Sequence, residues 1–250
     1  MNQDRRSQIV EILNKNGTIS NGEIMQTFGV SIETVRRDLA FLEERGYLER
    51  VYGGAVKKKF MNTEPTYISR EKENYSEKEK IAKEAEKFIC DKDTVFFDLG
   101  TTVQLLADNV SANKEITAFT NALRTAITLC DKGAKVVMPA GELRGGEYAL
   151  SGTVSEQSMQ NFNVDKAFIG VGGITENGLT DFIMSEARLR SQVIKNANKV
   201  IVLADFSKFG IRAMCNVCKL EDIDVLITDS KAPQEIIKTL EKKGVQVIIA

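Results

Sequence analysis

The sequence predicts an α/β protein in two parts, a small helical amino-terminal unit that ends in a hairpin and a larger, mostly parallel α/β body. Three observations predict it. Between Ser31 and Val56 the apolar residues keep helical spacing and then change to strand spacing around Gly53-Gly54. From Thr94 to Ile249, short β-branched runs alternate with helical stretches, the pattern of crossover units on a parallel sheet. In between, residues 58–75 hold no period and carry Pro65 and mixed charges, so they read as a linker. The division is 1–57, 58–75 and 76–250.

Taken in order, Ile9, Ile12 and Leu13 mark a first helix from about Asp4 to Lys15. Ser20 and Glu23 form a Ser-x-x-Glu capping box, so a second helix begins near Asn21, buries Ile24, Met25 and Phe28, and stops at Gly29. Only Gly29 and Val30 separate it from Ser31, the N-cap of a third helix, which is the short turn of a helix-turn-helix. In that third helix Ile32, Val35, Leu39 and Leu42 share one face and leave Thr34, Arg36 and Arg37 outward. Gly46 supplies the stop. Leu48, Val51, Ala55 and Val56 then flank Gly53-Gly54, a pair that tolerates positive φ at both centres of a tight turn. A helix with two adjacent outward arginines followed by a two-stranded hairpin has the outline of a recognition helix and its wing. Asp38 reads as an intramolecular partner that orients an arginine, since a carboxylate facing phosphate would be repelled.

In the body, a helix with a capping box at Ser76 and Glu79 buries Ile81, Ala82, Ala85, Phe88 and Ile89. Strands are expected at 94–98, 116–120, 135–138, 166–169, 200–204, 225–228 and 245–249, with helices at 103–109, 122–130, 154–161, 185–196 and 234–243. Ligands of such sheets bind beyond the carboxyl ends of the strands. Small polar clusters fall there. Asp98-Leu99-Gly100-Thr101-Thr102 ends one strand and opens a helix, so free amides and two hydroxyls converge on a helix N-terminus, a ready anion site. Thr120-Asn121 ends the next strand, and Asp205-Phe206-Ser207-Lys208 ends another and adds a lysine suited to phosphate. Gly170, Gly172 and Gly173 leave room for close approach by a ligand. Together the clusters point to a polar, anionic small molecule.

Composition narrows the class. The chain has 250 residues, 42% apolar and 28% charged, with a formal net charge of -1. Residues 1–59 hold 10 Lys plus Arg against 8 Asp plus Glu, a modest excess for a nucleic-acid binder, while the remainder holds 24 against 27 and should not bind nucleic acid by charge alone. No apolar run approaches the ~20 residues of a membrane span, and the polar start is unlike a secretory signal, so the cytoplasm is the expected location. Cys90, Cys130, Cys215 and Cys218 are too scattered for a disulfide framework. Cys215 and Cys218 form a Cys-x-x-Cys, but with no histidine in the chain a zinc site would lack ordinary ligands, so no metal or cofactor is expected.

Ser31 through Asp38, with Leu39, Leu42, Gly46, Arg50, Gly53 and Gly54, closely resemble the amino-terminal signature of the DeoR family of bacterial transcriptional regulators, which repress sugar-metabolism operons. The strand-end clusters resemble that family's carboxyl-terminal sensor, so the similarity covers nearly the whole chain. It implies that Ser31, Thr34, Arg36 and Arg37 meet operator DNA, in keeping with arginine forking onto guanine and hydroxyls taking phosphate or base edges. Arg50, and Lys57 with the lysines that follow, are placed to touch the DNA backbone. The sensor is related in fold to ribose-5-phosphate isomerase and responds to phosphorylated sugars or polyols. The resemblance implies phosphate binding at Gly100, Thr101 and Thr102, with Asp98, Thr120, Asn121, Glu186, Asp205 and Lys208 around the sugar.

Two functions compete. The first is a ligand-responsive transcription factor that reads twofold operators as a homodimer or homotetramer. The second is a sugar-phosphate isomerase with an appended DNA-binding unit, in which Asp98, Asp205 or Glu186 would be the base beside Lys208. The enzyme reading leaves a complete recognition helix and wing unexplained.

Overall fold

The computed structural model of the chain describes residues 2–44, 47–57 and 64–250. The Gly46 stop, Lys58, Lys59 and the Lys57 side chain lie outside the described residues. The amino-terminal unit comprises α1 (Asn2–Asn16), β1 (Thr18–Ser20), α2 (Asn21–Phe28), α3 (Ile32–Glu44), β2 (Leu48–Val51) and β3 (Gly54–Lys57). Its core joins Ile9 and Leu13 of α1 to Ile24 of α2, Val35, Leu39 and Leu42 of α3, and Leu48 and Ala55 of the hairpin. Met25, expected inside, is exposed.

Local chemistry sets these boundaries. The Ser20 side chain accepts from the Glu23 amide and Glu23 accepts from the Ser20 amide, which satisfies two orphan donors at the start of α2. Gly29 ends the helix in the left-handed region. The wing differs from the sequence expectation in one respect. Only Gly53 of the glycine pair has positive φ, whereas Gly54 opens β3, where a Cβ would lie 2.1 Å from the Ile19 carbonyl oxygen. Gly54 is therefore required by the unexpected strand β1, which pairs with β3 and makes the wing three-stranded.

Two helices follow, α4 (Tyr67–Lys72) and α5 (Tyr75–Glu86). The first corrects the expectation of an aperiodic linker through residue 75. Thr66 caps it by accepting from the Ser69 amide at 3.3 Å, and Tyr67 is buried. Helix α5 starts one residue before the predicted capping box at Ser76, because Asn74 is its N-cap and takes a left-handed backbone.

The body then runs β4 (Thr94–Phe97), α6 (Thr101–Asn109), β5 (Thr117–Thr120), α7 (Leu123–Asp131), β6 (Lys135–Val137), β7 (Glu142–Arg144), β8 (Ala149–Ser151), α8 (Thr153–Met159) and β9 (Val164–Ile169). It continues through β10 (Gly173–Thr175), β11 (Gly178–Asp181), α9 (Met184–Lys195), β12 (Ala197–Leu203), β13 (Cys215–Cys218), β14 (Val225–Thr228), α10 (Gln234–Lys242) and β15 (Gln246–Ile249). The seven strands read from the sequence form one parallel sheet in the order β15-β14-β12-β9-β4-β5-β6. Alternate residues serve opposite faces. Phe96, Ala167, Ile169 and Val202 pack with α8, α9 and α10, while Val95, Phe97, Phe168 and Ile201 pack with α5, α6 and α7. The remaining five strands make two small antiparallel additions, β7-β8 and β10-β11-β13.

Strand order reverses between β4 and β9: β5 and β6 extend the sheet one way from β4, and β12, β14 and β15 the other way from β9. The chain after these neighbours therefore separates and opens a crevice at their carboxyl ends.

Candidate functional site

The crevice lies at this reversal. It is walled by Gly100, Thr101 and Thr102 after β4, Gly170 and Gly172 after β9, and Asp205 and Lys208 after β12, with Asp181, Phe182 and Arg190 closing one side. Gly100 caps α6 with φ 138, a conformation side chains rarely adopt, and brings no capping side chain. The first helical bond runs from the Gln104 amide to the Gly100 carbonyl at 2.9 Å, so the preceding amides have no partner within the helix. The Lys208 amide donates to the Asp205 carbonyl at 3.0 Å, but its ammonium makes no hydrogen bond or ion pair among the described residues, and burial lowers its pKa from the ordinary lysine value. An open helix N-terminus and an uncommitted ammonium thus face one cavity.

Below the crevice sits a buried ionic frame. The Asp98 carboxylate accepts from the Leu99 and Gly170 amides and from Arg190 Nε, which is 2.5 Å away. Arg190 Nη1 lies 2.5 Å from Asp181 Oδ2. Asp98 therefore ties β4, β9 and α9 together rather than presenting its carboxylate to the cavity. Thr120 and Asn121 are fully buried outside it as well. The Thr120 hydroxyl accepts from the Ala122 amide, and Asn121 Nδ2 donates to the Leu150 carbonyl. Glu186, at the start of α9, lies 2.6 Å from Arg144 Nη2, and burial pushes its carboxyl up to about 7 against the pull of Arg144 and Arg190. Of the nine sequence-derived effector residues, the structure brings Gly100, Thr101, Thr102, Asp205 and Lys208 to the cavity wall and sets Asp98, Thr120, Asn121 and Glu186 behind it.

The glycines also differ from expectation. A Cβ on Gly170 would meet the Leu99 carbonyl oxygen at 2.8 Å, one on Gly172 the Phe182 ring at 3.0 Å, and one on Gly173 the Ile211 carbonyl oxygen at 2.2 Å. The close approach they permit is that of the chain to itself.

Besides Asp181, Phe182 and Arg190, the wall residues Glu64 and Arg70 were missed from the sequence. Arg70 Nη2 lies 3.2 Å from Glu64 and is also paired with Glu147, and Arg144 Nη1 joins Glu64 at 3.3 Å. Glu147 and Arg144 come from the β7-β8 hairpin, 77 residues from Arg70 and 80 from Glu64 respectively, so no local period marks the cluster. Asn74 Nδ2 donates to Asp205 Oδ1 at 2.9 Å, and the Lys78 ammonium, lowered to about 8 by burial, donates to the Arg70 carbonyl.

On the amino-terminal unit, Arg36 and Arg37 are exposed on α3, with Ser31 exposed and Thr34 partly so at its start. The Thr34 amide approaches Ser31 Oγ at 3.4 Å, which keeps both hydroxyls at the helix N-terminus. Arg50 is exposed on β2 and pairs with Glu43 at 2.6 Å, which fixes the wing against the end of α3. Lys57 ends β3 opposite Leu48. Tyr52, fully exposed at the wing tip, carried no sequence signal beyond its place before Gly53. Asp38 accepts from Nε of both Arg5 and Arg6 at 2.6 Å, so it orients arginines of α1. Cys215 and Cys218 stand three apart on one strand and project to opposite faces, an arrangement unsuited to a shared metal or a disulfide.

Known proteins match both halves. Residues 5–59 match the DeoR-like helix-turn-helix domain and residues 73–230 the DeoR C terminal sensor domain. The chain is 33% identical over 249 residues to the HTH-type transcriptional regulator GolR of Listeria innocua, covering 99% of this chain and 98% of that one. It is 30% identical over 245 residues to the glycerol-3-phosphate regulon repressor of Escherichia coli K12, covering 97% of each. Among solved structures, ribose 5-phosphate isomerase A of Methanocaldococcus jannaschii overlaps 54% of this chain and 55% of its own, at 21% identity and a TM-score of 0.41. The full-length relatives are regulators, which sets the isomerase reading aside: the chain belongs to the DeoR family of DNA-binding transcriptional regulators.

Proposed function

We propose that the protein represses a sugar- or polyol-utilisation operon and that a phosphorylated sugar or polyol, held in the crevice, controls it. The observation that carries this is the meeting of the open α6 N-terminus with Lys208 at the point where the strand order reverses. Amide dipoles and a lysine suit a phosphate, and Asp205 offers a carboxylate to a hydroxyl. The printed name of the glycerol-3-phosphate relative supports the same ligand class. Arg36 and Arg37 of α3 read operator bases, Ser31 and Thr34 take phosphate or base edges, and Arg50 and Lys57 steady the wing on the backbone. The reader spans residues 1–57 and the sensor residues 76–250, with α4 in between lending its side chains to the sensor. The protein acts in the cytoplasm as a homodimer or homotetramer, so that two readers meet a twofold operator. A thermal-shift screen of phosphorylated and unphosphorylated sugars and polyols tests the ligand class. A ligand at 100 times its dissociation constant should stabilise the fold by about 2.7 kcal/mol. Stabilisation by unphosphorylated compounds alone would contradict it.

A further inference from the structure

Glu64 and Arg70 line the crevice, yet they lie after the stretch that matches the family reader and before the stretch that matches the family sensor. They belong to the chain that leads from β3 to the sheet. The segment is held to the body by the buried Tyr67, whose ring lies 4.8 Å from the Arg124 guanidinium, and by polar contacts at the cavity. Arg70 is clamped between Glu64 and Glu147, its Nε donates to the Pro65 carbonyl at 3.0 Å, its own carbonyl accepts from Lys78, and Asn74 holds Asp205. The Arg70 side chain is only 12% exposed. The cavity has a volume of about 30 Å³, room for about two water molecules, so as it stands it does not enclose a whole sugar phosphate.

The chemistry of the wall says which part would respond to an anion. A guanidinium pairs with phosphate as readily as with carboxylate, and its fork matches either. A phosphate seated between α6 and Lys208 attracts Arg70 and repels Glu64, which is six residues earlier on the same segment. Burial already raises the pKa of the Glu64 carboxyl, so its ionised form is held there mainly by Arg70 and Arg144. We propose that Arg70 is a ligand of the effector's anionic group, exchanging Glu64 and Glu147 for it, and that this exchange shifts α4 and so carries occupancy to the reader. The inference rests on the reading of the crevice as the effector site. It adds an ion-pair exchange that links the cavity to the segment carrying the reader, and it requires an effector with a full anionic group.

Calorimetry on the full chain tests it, with inorganic phosphate and a panel of phosphorylated sugars and polyols as titrants. The variants are Arg70→Gln, Glu64→Gln and Thr101→Ala. Loss of a charged hydrogen bond should weaken the anion about tenfold or more in Arg70→Gln. Removal of the competing carboxylate should tighten it severalfold in Glu64→Gln. Both variants should also lose the ligand's effect on affinity for DNA selected by the wild-type chain from a random pool. If Arg70→Gln alone does not fold because Glu64 and Glu147 are left facing each other, Arg70→Gln combined with Glu147→Gln removes that repulsion and should show the same weakening. A strut role for Arg70 would lower stability in both variants without moving the two affinities in opposite directions, and that result overturns the exchange. If Thr101→Ala changes affinity while neither Arg70→Gln nor Glu64→Gln does, the crevice stands and the exchange fails. If none of the three does, or the wild type binds no titrant, both fall.

Discussion

Arg190 Nε lies 2.5 Å from Asp98 Oδ2, with both side chains almost wholly buried at the floor of the crevice. The guanidinium also holds Asp181, so one cation neutralises two carboxylates that cannot reach water. Removing it strands both. We expect Arg190→Met to destabilise the fold by about 3–5 kcal/mol in chemical denaturation. A loss under about 1 kcal/mol would mean that the frame is not what joins β4, β9 and α9.

Arg36 and Arg37 point away from Val35, Leu39 and Leu42, so alanine at either should leave the fold intact. Each lost bidentate base contact should cost about 1–3 kcal/mol of binding to the selected DNA while nonspecific binding changes less. Gel-shift titrations at several salt concentrations measure both. Unchanged specific affinity in both variants would remove α3 as the reading helix.

For the cavity, Lys208→Ala should weaken a phosphorylated ligand about tenfold or more and its unphosphorylated parent far less, because only the phosphate uses the ammonium. Gly100→Val should abolish binding for a second reason, since φ 138 at the α6 cap is strained for any side chain. Calorimetry on the two variants is the check, and equal losses for both ligands in Lys208→Ala would place the phosphate elsewhere.

Glu186 gives a pH dependence whose sign can be stated. Its carboxyl titrates near 4.5 when unfolded and at about 7 in the fold, because burial outweighs Arg144 and Arg190. Between those values the folded state holds the extra proton, so stability falls as pH rises through the window, by on the order of 3 kcal/mol at about 1.4 kcal/mol per unit. Glu186→Gln should flatten that slope, as unfolding curves at pH 5 and pH 8 would show. An unchanged slope would assign the dependence to other groups.

The parallel sheet was legible because strands buried on both faces are continuous β-branched runs, such as Val200 to Leu203 and Val225 to Thr228. The helix-turn-helix was legible through caps that act within four residues, Ser20 with Glu23 above all. The three-residue strands β1, β7 and β10 have neither a continuous apolar run nor enough residues to show an alternation. Helix α4, with six residues after Pro65, is too short to show a period. Arg70 escaped notice because what defines it, Glu147 and a cavity between strand ends, is distant in sequence. Asp98 and Glu186 sat at the expected strand end and helix start, but only the structure shows that arginines already engage them.

Under the proposed function, phosphate occupancy of the crevice controls DNA binding by α3. Fluorescence anisotropy with the selected DNA, for wild type and Lys208→Ala, each with and without the phosphorylated compound found by thermal shift, measures it directly. Without ligand the two proteins should bind DNA equally. With ligand, wild-type affinity should change by roughly 5- to 150-fold while Lys208→Ala stays near its ligand-free value. An equal ligand-induced change in both proteins, or none in the wild type, would contradict the claim.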